Sequence, residues 1–283
     1  MPRLVHLSDL HFGAHDPRLV FAVEEEIDRA KPDLVVISGD FTQRARTEQF
    51  QEACQFLERV RDKGHEVLAV PGNHDVPLYD VLRRFLSPLT RYKRYVDDVL
   101  CPFHQLPGAA VLGINTARSL TFKDGRINRE QIDFVAESFS KVPAGDAKVL
   151  VTHHPLFALP VDDAGELGEA IGRQELALDA INKIGVDVLL AGHNHRASTH
   201  HASDLVTRAG GALVLQAGTA TSIRLREEEQ SFNILDIDAD VVSISLMAWT
   251  GERYESAVPA QFRKTAEGWR KSSQEKADAA APA

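Results

Sequence analysis

Five short apolar runs in this chain end in the same way, and that repeated ending limits what the chain can fold into. Leu4-Val5-His6-Leu7 leads to Asp9 and His11, and Leu34-Val35-Val36-Ile37 leads to Gly39 and Asp40. Val67-Leu68-Ala69-Val70 leads to Gly72, Asn73, His74 and Asp75, and Val149-Leu150-Val151 leads to His153 and His154. The run 186–190 ends at Gly192 and presents His193 and His195. These runs read as strands, and their alternation with helical segments implies a parallel sheet covered by helices.

The segments between the runs supply those helices. Asp16-Pro17 reads as an N-cap with proline in the first turn, and Val20, Val23, Ile27 and Ala30 follow at helical spacing. Phe50, Ala53, Cys54, Leu57 and Val60 mark a second helix, with Gly64 as its terminator. Residues 76–104 break the rhythm with an insert containing Arg83, Arg84 and the run Arg91-Tyr-Lys-Arg-Tyr95, which reads either as a solvated helix face or as a lid that binds phosphate. A strand at 110–114 follows, then a capping box of Asn128 and Gln131, and a helix at about 173–183 that stops at Gly185. From Ala212 the chain turns β-rich, with strands at 213–217, 233–237 and 241–247 that are expected to form a second sheet against the first.

With 283 residues, 43% of them hydrophobic, the chain can bury a full core, and one domain over 1–270 is expected. The polar, Ala-rich tail 271–283 reads as disordered. Acidic residues (41) outnumber basic ones (32), so the formal charge of −9 lacks the footprint of a duplex-DNA binder. Cys54 and Cys101 form no disulfide framework. No run is long enough to span a membrane, and a first candidate ligand at Asp9 leaves no room for a leader, so the cytoplasm is the expected location.

In open α/β sheets, functional side chains gather at the carboxyl ends of the strands. The pool gathered here is aspartate, asparagine and histidine without cysteine, which suits Mn, Fe, Zn, Co or Ni and differs from a structural thiolate zinc site. It holds more ligands than one ion needs, which points to two ions sharing a carboxylate about 3.5–4 Å apart. Glycines before Asp40, Asn73 and His193 let the backbone turn sharply at a crowded centre. His15, His65, His104, His200 and His201 fall outside the five blocks and read as structural or surface residues; His154 reads either as packing or as a substrate contact, and residues 219–226 as a possible part of the site rim.

The ordered set Asp9-x-His11, Gly39-Asp40, Gly72-Asn-His-Asp75, His153 and Gly192-His-Asn-His195 resembles the calcineurin-like metallophosphoesterases. The resemblance implies an α/β fold in four αββα layers, with two mixed β-sheets flanked by helices, and two divalent or trivalent transition-metal ions (Mn, Fe, Zn or Co). It implies that Asp9, His11, Asp40 and His195 hold one ion and that Asp40, Asn73, His153 and His193 hold the other. A hydroxide bridging the ions would attack phosphorus. His74 would be the catalytic residue that stabilises the transition state or protonates the leaving oxygen, with Asp75 orienting its imidazole. The contexts Val70-Pro-Gly-Asn-His-Asp75, His153-His-Pro155 and Gly125-Arg-Ile-Asn-Arg-Glu-Gln131 are most similar to bacterial class III cyclic nucleotide phosphodiesterases. The expected activity is therefore metal-dependent hydrolysis of a small-molecule phosphodiester, with a 3′,5′-cyclic nucleotide leading. A phosphodiesterase or pyrophosphohydrolase acting on a glycerophosphodiester, lipid or sugar-nucleotide substrate is the alternative, and an interaction scaffold on the same fold is the non-enzyme reading. A homodimer is compatible with the sequence, which does not fix the oligomeric state.

Overall fold

The computed structural model describes residues 1–118, 125–156, 171–172, 174–194, 211–223, 229–266 and 268–272. His195, His200, His201 and residues 273–283 of the expected tail 271–283 lie outside the described residues, whereas Lys271 ends a strand instead of opening a disordered tail.

The chain opens with a strand–helix repeat: β1 (Arg3–Leu7), α1 (Pro17–Ala30), β2 (Leu34–Ile37), α2 (Thr47–Asp62) and β3 (Val67–Ala69). Asp16 caps α1 by accepting from the Arg18 amide, and the helix ends at Lys31 in the left-handed region (φ 48°). The insert carries α3 (Val81–Leu86), α4 (Thr90–Tyr95) and the edge strand β4 (Phe103–Leu106). Then come β5 (Ala109–Ile114), α5 (Arg129–Ser140), β6 (Ala147–Thr152), α6 (Gln174–Ile184), β7 (Val188–Ala191) and β8 (Leu213–Gln216). The chain finishes with β9 (Ser231–Ile237), β10 (Val241–Trp249), β11 (Tyr254–Ser256), β12 (Ala260–Thr265) and β13 (Gly268–Lys271).

Among the described residues these strands form two sheets. One runs β13-β12-β10-β9-β1-β2-β3 with β11 beside β10, and the other runs β4-β5-β6-β7-β8. This corrects the expectation of one parallel sheet faced by a C-terminal one. The late strands do not stand apart: β9 pairs antiparallel with β1 (Leu4 opposite Leu235) while β2 pairs parallel on its other side (Leu4 opposite Leu34). β8 joins the second sheet, parallel to β7.

Alternation along each strand sends side chains into different cores. Leu4, Leu34, Val36 and Leu68 meet Val111, Val149, Val151, Val188 and Leu190 between the sheets. Val5, Leu7, Val35 and Ile37 face Val23, Ile27, Phe50 and Leu57 of α1 and α2. Ala110, Leu112, Leu150 and Leu189 face Val135 and Phe139 of α5 and Ile181 of α6. Helix, sheet, sheet and helix are thus four layers with three apolar cores between them, and the apolar runs are continuous because both faces of each strand are buried.

The Arg91–Tyr95 run packs more than it reaches out. Tyr92 is fully buried against Phe41, Tyr95 stacks on Phe50, and Arg91 donates to the Ala45 carbonyl at 2.6 Å. Cys54 sits at the half-exposed margin of α2 rather than on its buried face.

Candidate metal centre

The carboxyl ends of β1, β2 and β3 in one sheet and of β6 and β7 in the other meet at one crevice, held by backbone bonds before any side chain is counted. The Asp9 amide donates to Gly39 O at 3.1 Å, His11 N to Asp40 O at 2.9 Å, and Gly192 N to His153 O at 3.0 Å. Asp9, His11, Asp40 and His193 all take positive φ (54°, 49°, 54° and 75°), a region that non-glycine residues occupy at a cost and that concentrates at functional sites. Two glycines make room. A Cβ on Gly72 would overlap the Asp40 carboxylate, and one on Gly39 would come within 2.6 Å of His153 Nδ1.

The side chains form two groups that share Asp40. On one side His11 Nε2 lies 3.6 Å from Asp9 Oδ1 and 3.9 Å from Asp40 Oδ2. On the other, His153 Nε2 lies 3.4 Å from the same Asp40 oxygen and 3.0 Å from Asn73 Oδ1, which is also 3.0 Å from His193 Nδ1. Donors that share an ion at about 2.0–2.2 Å stand roughly 3–4 Å from one another, so these oxygens and nitrogens fit metal ions of the N,O-preferring kind. The structure therefore brings together Asp9, His11, Asp40, Asn73, His153 and His193.

Outer contacts set the rings. His153 Nδ1 bonds the Ser38 carbonyl at 2.7 Å, which places the proton on Nδ1 and turns Nε2 toward the centre. Ser8 Oγ donates to Asp9 Oδ2 at 2.5 Å, and the His193 amide donates to the same oxygen at 3.0 Å.

His74 packs edge-on to His11 with ring centroids 4.9 Å apart. Its Nδ1 donates to the main-chain carbonyl of Gln43 at 2.8 Å, leaving Nε2 for other partners. This corrects the expected role of Asp75 toward the ring. The Asp75 carboxylate instead accepts from Gly72 N (3.0 Å), Phe41 N (3.2 Å) and Thr42 N (2.9 Å), locking the loop after β2 to the loop after β3. Burial alone would raise the Asp40 carboxyl, yet His153, His74 and His11 hold it well below the usual carboxylate range. Asp75 is pushed the other way by burial and by the charge of Asp40. Burial works against a proton on His153, but Asp40 overrides it and lifts that imidazole to about 9. A field that favours a proton there favours a metal cation in the same place.

Four residues support the centre from outside the five blocks, two of them in the stretch 219–226 read as a possible site rim. Thr219 Oγ1 and Thr221 Oγ1 each bond at 2.7 Å to the carbonyls of Asp9 and Leu10, so 219–222 underpins the β1 loop; 224–226 lie outside the described residues. Gln49 accepts from Arg44 N at 2.9 Å and packs under Gly13, and Ser38 reaches His153 as described. Only the Thr219 stretch carried a signal, its place after a strand. His65 and His104, outside the blocks, pair with Asp28 (3.1 Å) and Glu66 (3.3 Å).

The calcineurin-like phosphoesterase model matches residues 2–197. The chain is 28% identical over 208 residues to a probable cyclic nucleotide phosphodiesterase of Rhodococcus erythropolis, a match covering 69% of this chain and 65% of that protein. It is 26% identical over 231 residues to a probable glycerophosphodiester phosphodiesterase of Arcobacter nitrofigilis, covering 80% of this chain and 76% of the relative. Among solved structures, a dimetal phosphatase from Danio rerio superposes with a TM-score of 0.62 at 13% identity, covering 90% of this chain and 99% of that one. Purple acid phosphatase PPD1 of yellow lupin gives a TM-score of 0.66 at 14% identity, covering 91% of this chain and 53% of that one. At such identities the structural likeness speaks for the fold. The family model spans well over half of the chain, which belongs to the calcineurin-like phosphoesterase family.

Proposed function

We propose that this chain is a dinuclear metal-dependent phosphodiesterase, with a 3′,5′-cyclic nucleotide as its leading substrate and residues 1–270 as a single working domain. The observation that carries this reading is the position of Asp40 Oδ2, 3.9 Å from His11 Nε2 and 3.4 Å from His153 Nε2, as a carboxylate shared by two donor groups requires. In this reading Asp9, His11 and Asp40 hold one ion, joined by His195, and Asp40, Asn73, His153 and His193 hold the other. Bound there, the ions would acidify water and neutralise phosphoryl oxygens.

The protein's own groups then do the rest. The shared carboxylate and the anchored imidazoles would fix where the ions sit, because their rings and backbone are already set before substrate arrives. His74 is held by Nδ1 on the Gln43 carbonyl, so Nε2 is the atom that can give a proton to the departing oxygen. Asp75 serves this role indirectly, by fixing the loop that carries Gln43 and Asp40 relative to His74.

The name of the Rhodococcus relative supports the cyclic substrate, and that of the Arcobacter relative supports a glycerophosphodiester as second reading. The test is turnover by chelator-stripped protein reconstituted separately with Mn, Fe(II) and Zn, offered 3′,5′-cyclic AMP beside an aryl phosphodiester. Competitive hydrolysis of the cyclic nucleotide is expected. Cleavage of the aryl diester alone would remove the cyclic substrate and leave the diesterase; loss of both in every metal form would remove the reading altogether.

A further inference from the structure

His154 has no place in either donor group, yet it is built into the centre as firmly as His153. It is buried, and its Nδ1 bonds Thr116 Oγ1 at 2.8 Å, just as Nδ1 of His153 bonds Ser38 O. The same threonine hydroxyl accepts from the His154 amide at 3.3 Å. The ring lies 4.6 Å from that of His193 and 4.8 Å from that of His153, and the donor atoms of the three histidines fall within 4.8 Å of one another. His193 stands edge-on to His153 at 5.2 Å, so it is flanked by two imidazoles.

The segment Gly125-Arg-Ile-Asn-Arg-Glu-Gln131, singled out in the sequence without a task, meets His154 from behind. A Cβ on Gly125 would come within 2.6 Å of His154 Cβ and Nδ1, so only glycine lets the backbone lie against that ring. Arg126 N donates to Thr116 O at 3.0 Å, and Gln131 Nε2 donates to Asn115 O at 2.7 Å. Gly172 N closes the arrangement on Gly125 O at 3.0 Å. The segment therefore fastens the chain end of β5, and with it Thr116, at the place where His154 is anchored.

We propose that His154 is a positioning residue for the half of the centre built by Asn73, His153 and His193, and that residues 125–131 are the bracket holding its ring against His193. This rests on the dinuclear reading given above. His193 is partly exposed and its backbone sits at φ 75°, so its ring needs a wall to stay aimed at Asn73. Outer contacts of this kind are commonly worth 10- to 100-fold in metal affinity.

The test is titration of metal-stripped protein with Co(II), followed by visible absorption and elemental analysis. Wild type is expected to take two ions. Thr116→Val keeps the shape of the side chain and removes its bond to the ring; Gly125→Ala pushes the ring itself. Both are expected to keep the first ion at wild-type affinity, to bind the second about 10- to 100-fold more weakly, and to shift its absorption band. Ile27→Ala, a truncation in the core under α1, is expected to lower Tm while both ions bind as in wild type. Two-ion wild type with bracket variants that bind both ions normally would overturn the bracket alone, as would equal loss of the second ion in Ile27→Ala. Wild type that takes fewer than two ions would overturn the dinuclear reading and this one with it.

Discussion

The metal cradle and the α3 end of the insert beside it are neighbours in sequence and opposites in construction. In the cradle, Asp9, His11, Asp40 and His153 are at most 1% exposed, their backbone is cross-linked between strand ends, and strained φ values are held in place by those links. A few residues beyond Asp75, α3 is inside out. Val81, Leu82, Phe85 and Leu86 are 62%, 74%, 54% and 80% exposed, while Arg84 is 3% exposed and donates to Pro77 O at 3.0 Å. The reacting centre is thus specified by geometry that tolerates little change. The surface next to it is specified by little that local pattern can express.

The sharpest way to press this contrast is His74→Ala. It removes the candidate proton donor but none of the donor atoms that would hold metal, so kcat on an alkyl phosphodiester should fall roughly 10²–10⁴-fold while two ions remain bound. Near-normal turnover by the metal-replete variant would end the role given to His74. A middling effect is expected from acid. Burial holds His6 at about 3 instead of the ordinary 6.5, and its Nε2 bonds Ser38 Oγ at 2.9 Å directly beneath the cradle. Between those values the unfolded chain takes a proton that the folded chain refuses. The contribution of His6 to stability is therefore fully present above pH 6.5 and is lost as pH falls toward 3, by up to a few kcal/mol. His6→Gln should flatten that slope in urea unfolding measured across this range, and parallel slopes for the two proteins would refute the assignment. The smallest effect belongs to the insert: Leu82→Ser with Leu86→Ser should change stability by less than about 0.5 kcal/mol per site. Hydrolysis of a small aryl diester should stay within about twofold, any change appearing in KM for larger substrates. A collapse of kcat in that double variant would mean that the insert shares in the chemistry after all.

Legibility in the sequence followed the same boundary. Strand ends, caps and glycine turns are local, so α1, the Asn128–Gln131 capping box and the gathered Asp, Asn and His residues were readable from neighbouring residues. Sheet membership was not, because it depends on which distant strand claims an edge: Leu4 accepts both Leu34 and Leu235 as partners, and nothing near Leu4 says so. The His74 contact was invisible for another reason. Its partner is a main-chain carbonyl, which every residue has, and the adjacent Asp75 offered a plausible substitute that the fold spends on three amides. α3 left no signal that binary patterning could use, since the face that would ordinarily mark a core points outward.

The position of β1 also has a kinetic meaning. It lies between β2 and β9, so a strand made within the first seven residues waits for residues 233–236 before its second edge is paired. Until then every described donor of the cradle has been synthesised, up to His193, while Arg3, Leu4, Val5 and His6 still present an open row of backbone donors and acceptors. Long-range closure of this kind slows folding and exposes an edge to other chains in the meantime. The order of synthesis thus supplies the donor residues before the strand that closes the β1 edge, and β9 ends the interval in which that edge is open.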